Sequence, residues 1–100
     1  MGRYKLTNKA VEDLTHIWNF TLEQWSEEKA DIYYRMILEN CRKVADHPAL
    51  GKNYSRITPT LLGIKAGRHI IFFRMTEQLE IEITRILHEQ MDLKNRIIEK

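Results

Sequence analysis

The chain has 100 residues, of which 43% are hydrophobic and 30% charged, with a formal net charge of +2. This length predicts one domain over residues 1–100 with a modest core, and the balance of apolar and charged residues excludes intrinsic disorder. A lone cysteine, Cys41, excludes an internal disulfide and a cysteine-rich zinc site, and no signal peptide or apolar run of roughly 18 residues is present, so a cytoplasmic location without membrane contact is expected.

In chain order, the first expected element is a short strand, Tyr4–Leu6. Thr7 or Asn8 is placed to cap the helix that follows, because either side-chain oxygen can accept from an unpaired first-turn N–H. Val11, Leu14, Trp18 and Trp25 recur at helical spacing, and Ile17 and Leu22 widen that stripe, so the two tryptophans are expected in the core. Glu12 and Asp13 are read as first-turn acids favoured by the helix dipole. Ser26 caps a second helix whose apolar face is Ala30, Tyr33, Tyr34, Ile37, Cys41, Val44 and Ala45. Its opposite face carries Asp31–Arg35 and Glu39–Lys43 at i,i+4 spacing. The few residues between the helices predict an antiparallel hairpin, and Pro48 stops the second helix.

Residues 49–60 are expected to be a surface connection, followed by a strand over residues 61–66 and a turn at Gly67 and Arg68. His69–Met75 holds Ile70, Ile71, Phe72 and Phe73 in succession, which marks a central strand buried on both faces. Leu79, Ile81 and Ile83 alternate with Glu80, Glu82 and Thr84, the pattern of a strand with one wet face. Continuing that alternation puts Arg85 on the core side. Either a bulge resets the register, or Arg85 lies at the rim with its head in a cleft. Residues 89–100 form a polar tail in which Ile97 and Ile98 support a short helix or dock elsewhere. The fold class is therefore α+β: a strand and a helical hairpin packed on a mostly antiparallel sheet, in two layers.

Charge is unevenly spread. Residues 1–50 carry 7 Lys/Arg against 8 Asp/Glu, and residues 51–100 carry 9 against 6. No acid lies between Asp46 and Glu77, an interval holding Lys52, Arg56, Lys65, Arg68 and Arg74, with His69 beside them. Such a stretch attracts an acidic partner or is a solvated basic loop. No phosphate loop, nucleophile elbow or zinc-protease motif is present, and no cofactor is indicated. His16, His47, His69 and His88 are not at metal-ligand spacing. Cys41, on the apolar helix face, reads as a buried inert thiol. Arg68, Arg74, Arg85 and His88 would form a cationic cleft if they converge. Otherwise they make rim salt bridges with Glu80, Glu82 or Asp92.

The order strand, two helices, three strands resembles the RelE/ParE toxin superfamily. Four patterns are similar to ParE-type toxins in particular. They are Leu6-Thr7-Asn8-Lys9-Ala10 with Asp13-Leu14 and Ile17-Trp18; His47-Pro48-Ala49-Leu50-Gly51; Gly67-Arg68-His69-Ile70-Ile71-Phe72-Phe73-Arg74; and Arg85-Ile86-Leu87-His88 with Met91-Asp92. Phe73 departs from the tyrosine frequent before the arginine of the third pattern, and Lys65 stands where an arginine is frequent. The resemblance implies the toxin of a type II toxin–antitoxin pair that traps DNA gyrase on broken DNA rather than acting as an enzyme. It implies a small ParD-like antitoxin as partner, with operator DNA reached only through that antitoxin. An acidic antitoxin segment docking on Lys52, Arg56, Lys65, Arg68 and Arg74 fits the charge distribution. Gyrase contact is looked for in the C-terminal section, at Arg85, His88 and Asp92.

Two alternatives stand beside this. One is a ribosome-dependent messenger-RNA endonuclease of the RelE and YoeB kind, with Arg74 and His88 as the acid–base pair. Against it, no tyrosine follows Tyr54. The other is a degenerate, non-toxic binding module.

Overall fold

A computed structural model describes residues 2–98. The N-terminal strand β1 (Tyr4–Leu6) leads into helix α1 (Asn8–Gln24) and helix α2 (Glu27–Asp46). A 3-10 turn (Pro48–Leu50) and strands β2 (Lys52–Asn53), β3 (Leu62–Ala66), β4 (His69–Met75) and β5 (Ile81–His88) follow, and helix α3 (Leu93–Ile98) ends the described chain. Residues 99 and 100 of the expected tail lie outside the described residues.

Local chemistry explains the helix starts. The cap of α1 is Thr7, not Asn8: its Oγ1 accepts from the Ala10 N–H at 3.1 Å. The same hydroxyl donates to the Thr84 carbonyl at 2.9 Å, which ties the cap to β5. Because α1 starts at Asn8, Glu12 and Asp13 fall beyond its first turn, and the expected dipole role is not theirs. Ser26 caps α2 through the Lys29 N–H, with Glu27 and Glu28 in the first turn. Asp31 accepts from the Trp18 indole N–H at 3.3 Å, which draws it away from the expected pairing with Arg35.

The five strands form one sheet in the order β1-β5-β4-β3-β2. β1 runs parallel to β5, and the other pairings are antiparallel. β4 is the central strand expected from its sequence, and one side of it faces the helices. There Ile71 and Phe73 join Leu14, Ile17, Ile37, Cys41, Val44, Ile81, Ile83 and Ile86 in the main core. On the other side, Ile70 and Phe72 pack with Leu61 and Leu87 under Tyr54, Ile57, Leu93 and Ile97. Phe72 and Phe73 are fully buried, and such burial contributes roughly 1.5–3 kcal/mol per side chain. Burial also pushes the Cys41 thiol up to about 12, so it stays protonated and inert.

The alternation puzzle in β5 is resolved by a bulge. Phe72 pairs with Arg85 and Phe73 with Ile83, so Thr84 is the extra residue. The bulge returns Ile86 to the helix-facing core and Leu87 to the opposite one.

Four further expectations change. Leu79 belongs to the β4–β5 turn at φ 62°, and β5 begins at Ile81. The connection over residues 49–60 contains β2, which pairs Lys52 and Asn53 with Gly63 and Leu62. Tyr34 lies at the exposed margin of α2. The largest change is on α1, whose buried face is Ala10, Leu14 and Ile17. Val11, Leu22 and Trp25 are exposed, Trp25 at 66%. The apolar stripe of α1 is wider than the surface α2 and the sheet can cover, so only one edge of it is buried.

Candidate functional site

The β3–β4 hairpin brings the first group of expected site residues together. Gly67 has φ 61°, and Ala66 pairs with His69 across the two-residue turn. A positive φ at the first turn position is the II′ geometry that fits strand twist. A Cβ at Gly67 would lie 2.8 Å from the Tyr33 hydroxyl, so glycine is required by space as well as by conformation. Across the sheet His69 pairs with His88, their rings edge to face at 5.3 Å. Tyr33 reaches down from α2: its hydroxyl is 2.6 Å from His69 Nδ1 and accepts from the Arg68 N–H at 3.0 Å.

This packing settles the protonation of His69. Burial, then the neighbouring His88, pushes it down to about 4, against weaker opposing effects of Asp13 and Glu89. The ring is neutral near pH 7, and the Tyr33 hydroxyl then donates to Nδ1. Burial raises the Tyr33 phenol, so it stays protonated. His88 Nδ1 accepts from the Gln90 N–H at 3.1 Å. Lys65 forms an ion pair with Glu89 at 3.0 Å, and its hydrogen bond holds that carboxyl below the usual carboxylate range. The Glu89 N–H donates to the Arg68 carbonyl at 2.9 Å, strapping the turn to the end of β5.

Arg85 sits in a different environment. Its Nε and Nη2 bind Asp13 Oδ2 and Oδ1 at 2.8 and 3.0 Å, a two-pronged pair. Asp13 also accepts from the Ile86 N–H at 3.0 Å, filling the open edge of β5 past the end of β1. The third arm of Arg85 donates to the Arg96 carbonyl in α3 at 2.7 Å. Arg85 thus ties α1, β5 and α3 together, with 14% of its side chain exposed. Asp92 serves α3 locally, accepting from Asn95 Nδ2 at 2.6 Å and from the Arg96 N–H on its carbonyl at 3.1 Å.

The four-membered cationic cleft does not form. Arg68 and His88 lie at one end of the β4–β5 pair. Arg74 pairs with Glu82 at the other, five ladder steps from His69, a span of about 17 Å at the usual strand rise. Arg74 Nη2 is 2.7 Å from Glu82, the rim salt bridge considered from the sequence. The pair Arg74 and His88 is therefore split. Lys52 lies on the edge strand β2 and Arg56 in the loop after it; both are exposed. Sequence reasoning missed Asp13 as the partner of Arg85. A core-facing arginine signals that some carboxylate must meet it, but that signal does not reveal a partner 72 residues away. Tyr33 falls on the apolar face of α2 as its spacing predicts, and its hydroxyl is the means by which α2 organises the turn.

Among the described residues no cluster of three or more His, Cys, Asp or Glu is arranged to hold a metal, and no helix is long and apolar enough to cross a membrane.

Comparison with known proteins places this architecture. The family model described as the ParE toxin of the type II toxin–antitoxin system parDE matches residues 4–93. Toxin ParE1 of Mycobacterium tuberculosis is 30% identical over 96 residues, covering 96% of this chain and 98% of that protein. Toxin ParE1 of Caulobacter vibrioides is 29% identical over 94 residues, covering 94% and 96%. Two solved structures share the fold. A chain of the chromosomal ParDE system from P. aeruginosa aligns with a TM-score of 0.76 at 24% identity, covering 88% of this chain and 96% of its own. A chain of the RelBE2 toxin–antitoxin complex from Mycobacterium tuberculosis aligns with a TM-score of 0.61 at 15% identity, covering 88% and 98%. With the match running from β1 to the first residue of α3, the chain belongs to the ParE family of toxins of type II toxin–antitoxin systems.

Proposed function

We propose that this toxin acts by binding DNA gyrase and stalling it on cleaved DNA, without catalysing a reaction of its own. The observation that carries this over RNA cleavage is the separation of Arg74 from His88. General acid–base cleavage needs both groups within hydrogen-bond reach of one phosphodiester, whereas Arg74 is bound to Glu82 and His88 faces His69 at the far end of the sheet. His69 does not substitute for Arg74, because its Nδ1 is held by Tyr33 and it is neutral at working pH. A binding protein needs no such constellation, only a presented surface.

The gyrase contact is assigned to the C-terminal section. His88 ends β5, while Arg85 and Asp92 hold α3 in place beside it. In this reading Arg85 and Asp92 position the contact surface more than they touch the target.

A cognate antitoxin is the second partner. Its acidic segment is assigned to Lys52, Arg56, Lys65, Arg68 and Arg74. Lys52, Arg56 and Arg68 are exposed and supply long-range attraction, while Lys65 and Arg74 must exchange Glu89 and Glu82 for antitoxin carboxylates. The exposed Trp25, Ile32 and Leu22 on the helical hairpin offer apolar area that such a partner can cover.

The test is a supercoiling assay with purified gyrase. Added toxin is expected to inhibit supercoiling and to accumulate linear, protein-linked DNA, and cognate antitoxin to reverse both. Unimpaired gyrase together with cut messenger RNA on translating ribosomes would overturn the reading.

A further inference from the structure

The outer edge of the sheet at β1 is a separate surface that neither partner assignment uses. β1 is a terminal strand, bound on one side only. Its ladder to β5 uses the Arg3 carbonyl, which accepts from the Ile81 N–H at 3.1 Å, and the Thr7 N–H, which donates to the Ile83 carbonyl at 3.0 Å. Alternate residues of a parallel strand bond the same neighbour, so the N–H and C=O groups of Tyr4 and Leu6 point away from the sheet.

An open groove runs along this edge, lined by Gly2, Arg3, Tyr4, Lys5, Leu6 and Arg42. Arg3, Lys5 and Arg42 are cations, and none of the lining residues is an acid. Arg3 and Lys5 share a parity on the sheet face turned from the helices, where Lys5 Nζ is 3.9 Å from Glu82. Arg42 comes from α2 on the other face, with its guanidinium over the Tyr4 ring at 5.7 Å. An added strand would therefore have positive charge on both sides.

The edge is also held in shape before anything binds. The Gly2 N–H donates to Asp46 Oδ1 at 2.8 Å. A Cβ at Gly2 would lie 1.7 Å from the Ala45 carbonyl oxygen, so only glycine lets the strand start this close to α2. At the other end Thr7 is fixed to Ile83 and Thr84. The two acids bonded to this edge are already engaged, Asp46 with Gly2 and Glu82 with Lys5 and Arg74.

We propose that the outer edge of β1 is a docking site for an extended acidic segment of a partner protein, which adds to the sheet as a sixth strand. Tyr4 and Leu6 supply the backbone bonds that fix register, and Arg3 and Lys5 on one face and Arg42 on the other select acidic side chains at both parities. The preformed edge lowers the ordering cost of binding. Basic residues on a short edge strand also serve to repel unwanted strands, and the experiment separates the two roles.

The full chain, labelled with ¹⁵N, is titrated with a capped Glu-Val octapeptide, Glu-Glu-Val-Val repeated twice so that acids stand on both faces of a strand, and with its Gln-Val counterpart. Two further Glu-Val peptides are each N-methylated on one of the two alternating residue sets. The Glu-Val peptide is expected to shift resonances of residues 2–7 and 42 and to slow amide exchange at Tyr4 and Leu6. Replacing Glu by Gln in the peptide, or making the R3E/R42E double variant on exposed positions, is expected to weaken binding about tenfold. One methylated peptide is expected to lose binding, because its blocked edge faces β1, and the other to retain it. Absence of edge shifts at millimolar peptide overturns the proposal, as do shifts centred on Lys52, Arg56 and Arg68. Equal binding by the Gln-Val peptide, by both methylated peptides or by the double variant overturns it as well, leaving the cations as guards of the edge.

Discussion

Arg68 lies in the turn before β4 and Arg85 within the neighbouring strand β5, and the fold uses them oppositely. Arg85 is mostly buried and bonded to Asp13 and to the carbonyl of Arg96. Arg68 is exposed, and its backbone bonds to Tyr33 and Glu89. The guanidinium groups are chemically identical. What differs is whether the fold brings a carboxylate within reach. Asp13 turns Arg85 into a structural joint, whereas the charge of Arg68 is left facing solvent, where it can act on a partner. Lys65 and Arg74 are intermediate: each is paired, but at the surface, where a competing carboxylate can displace the partner.

The strongest way to break this contrast is to remove Asp13. Asp13→Ala leaves Arg85 and the Ile86 N–H without their carboxylate, and a loss of about 3–5 kcal/mol is expected. Urea unfolding monitored by circular dichroism measures it, and the D13L/R85M double variant should recover much of the loss. A decrease below about 1 kcal/mol would put Arg85 in the same class as the surface pairs.

The turn that presents Arg68 is the next point to probe. Gly67→Ala forces alanine into a φ of 61° and against the Tyr33 hydroxyl, at a cost of about 1–3 kcal/mol. Pairing it with Tyr33→Phe should relieve part of the cost in a double-mutant cycle, since the crowding oxygen is then gone.

Acidification should destabilise the same end of the sheet. His69 is pushed from 6.5 to about 4 on folding, so between those values the unfolded chain binds a proton that the folded chain excludes. Stability contributed by the neutral ring is thus complete above pH 6.5 and is lost as pH falls toward 4. A fully buried ring would lose roughly 3 kcal/mol. Solvent reaching this partly exposed ring reduces that to about 1 kcal/mol. Unfolding curves at several pH values for the parent and for His69→Gln test the direction, and the variant should lose most of the slope in this window.

The smallest stability effects belong to the surface cations. Lys65→Ala and Arg74→Ala are each expected to cost no more than about 1 kcal/mol, and Lys52→Ala, Arg56→Ala and Arg68→Ala no more than about 0.5 kcal/mol. The last three should instead slow antitoxin association and flatten its salt dependence, read by stopped-flow mixing. Unchanged association rates would remove these residues from the antitoxin surface.

Much of this architecture is legible in the residues. Ser26 and Pro48 bound α2, Gly67 marks the hairpin, and the run from Ile70 to Phe73 marks a strand covered on both sides. Each is a local signal, carried by dihedral preference or by periodicity within a few residues. The site was less legible. Arg68, Arg74, Arg85 and His88 form one cleft only if they converge, and nothing in the sequence states how far along β4 Arg74 lies from His88; the ladder keeps Arg74 at the opposite end from Arg68 and His88.

By itself the sequence determined the element order, the central position of β4 and the family patterns from Leu6 to Asp92, because these rest on neighbours in the chain. Only the tertiary structure decided which edge of the α1 stripe is buried and that Thr84 bulges. It also decided that Asp13 meets Arg85 and that β1 presents an open cationic edge. Those outcomes depend on which distant segments pack together, and the burial of apolar area and the pairing of charge that choose among them act between residues far apart in the chain.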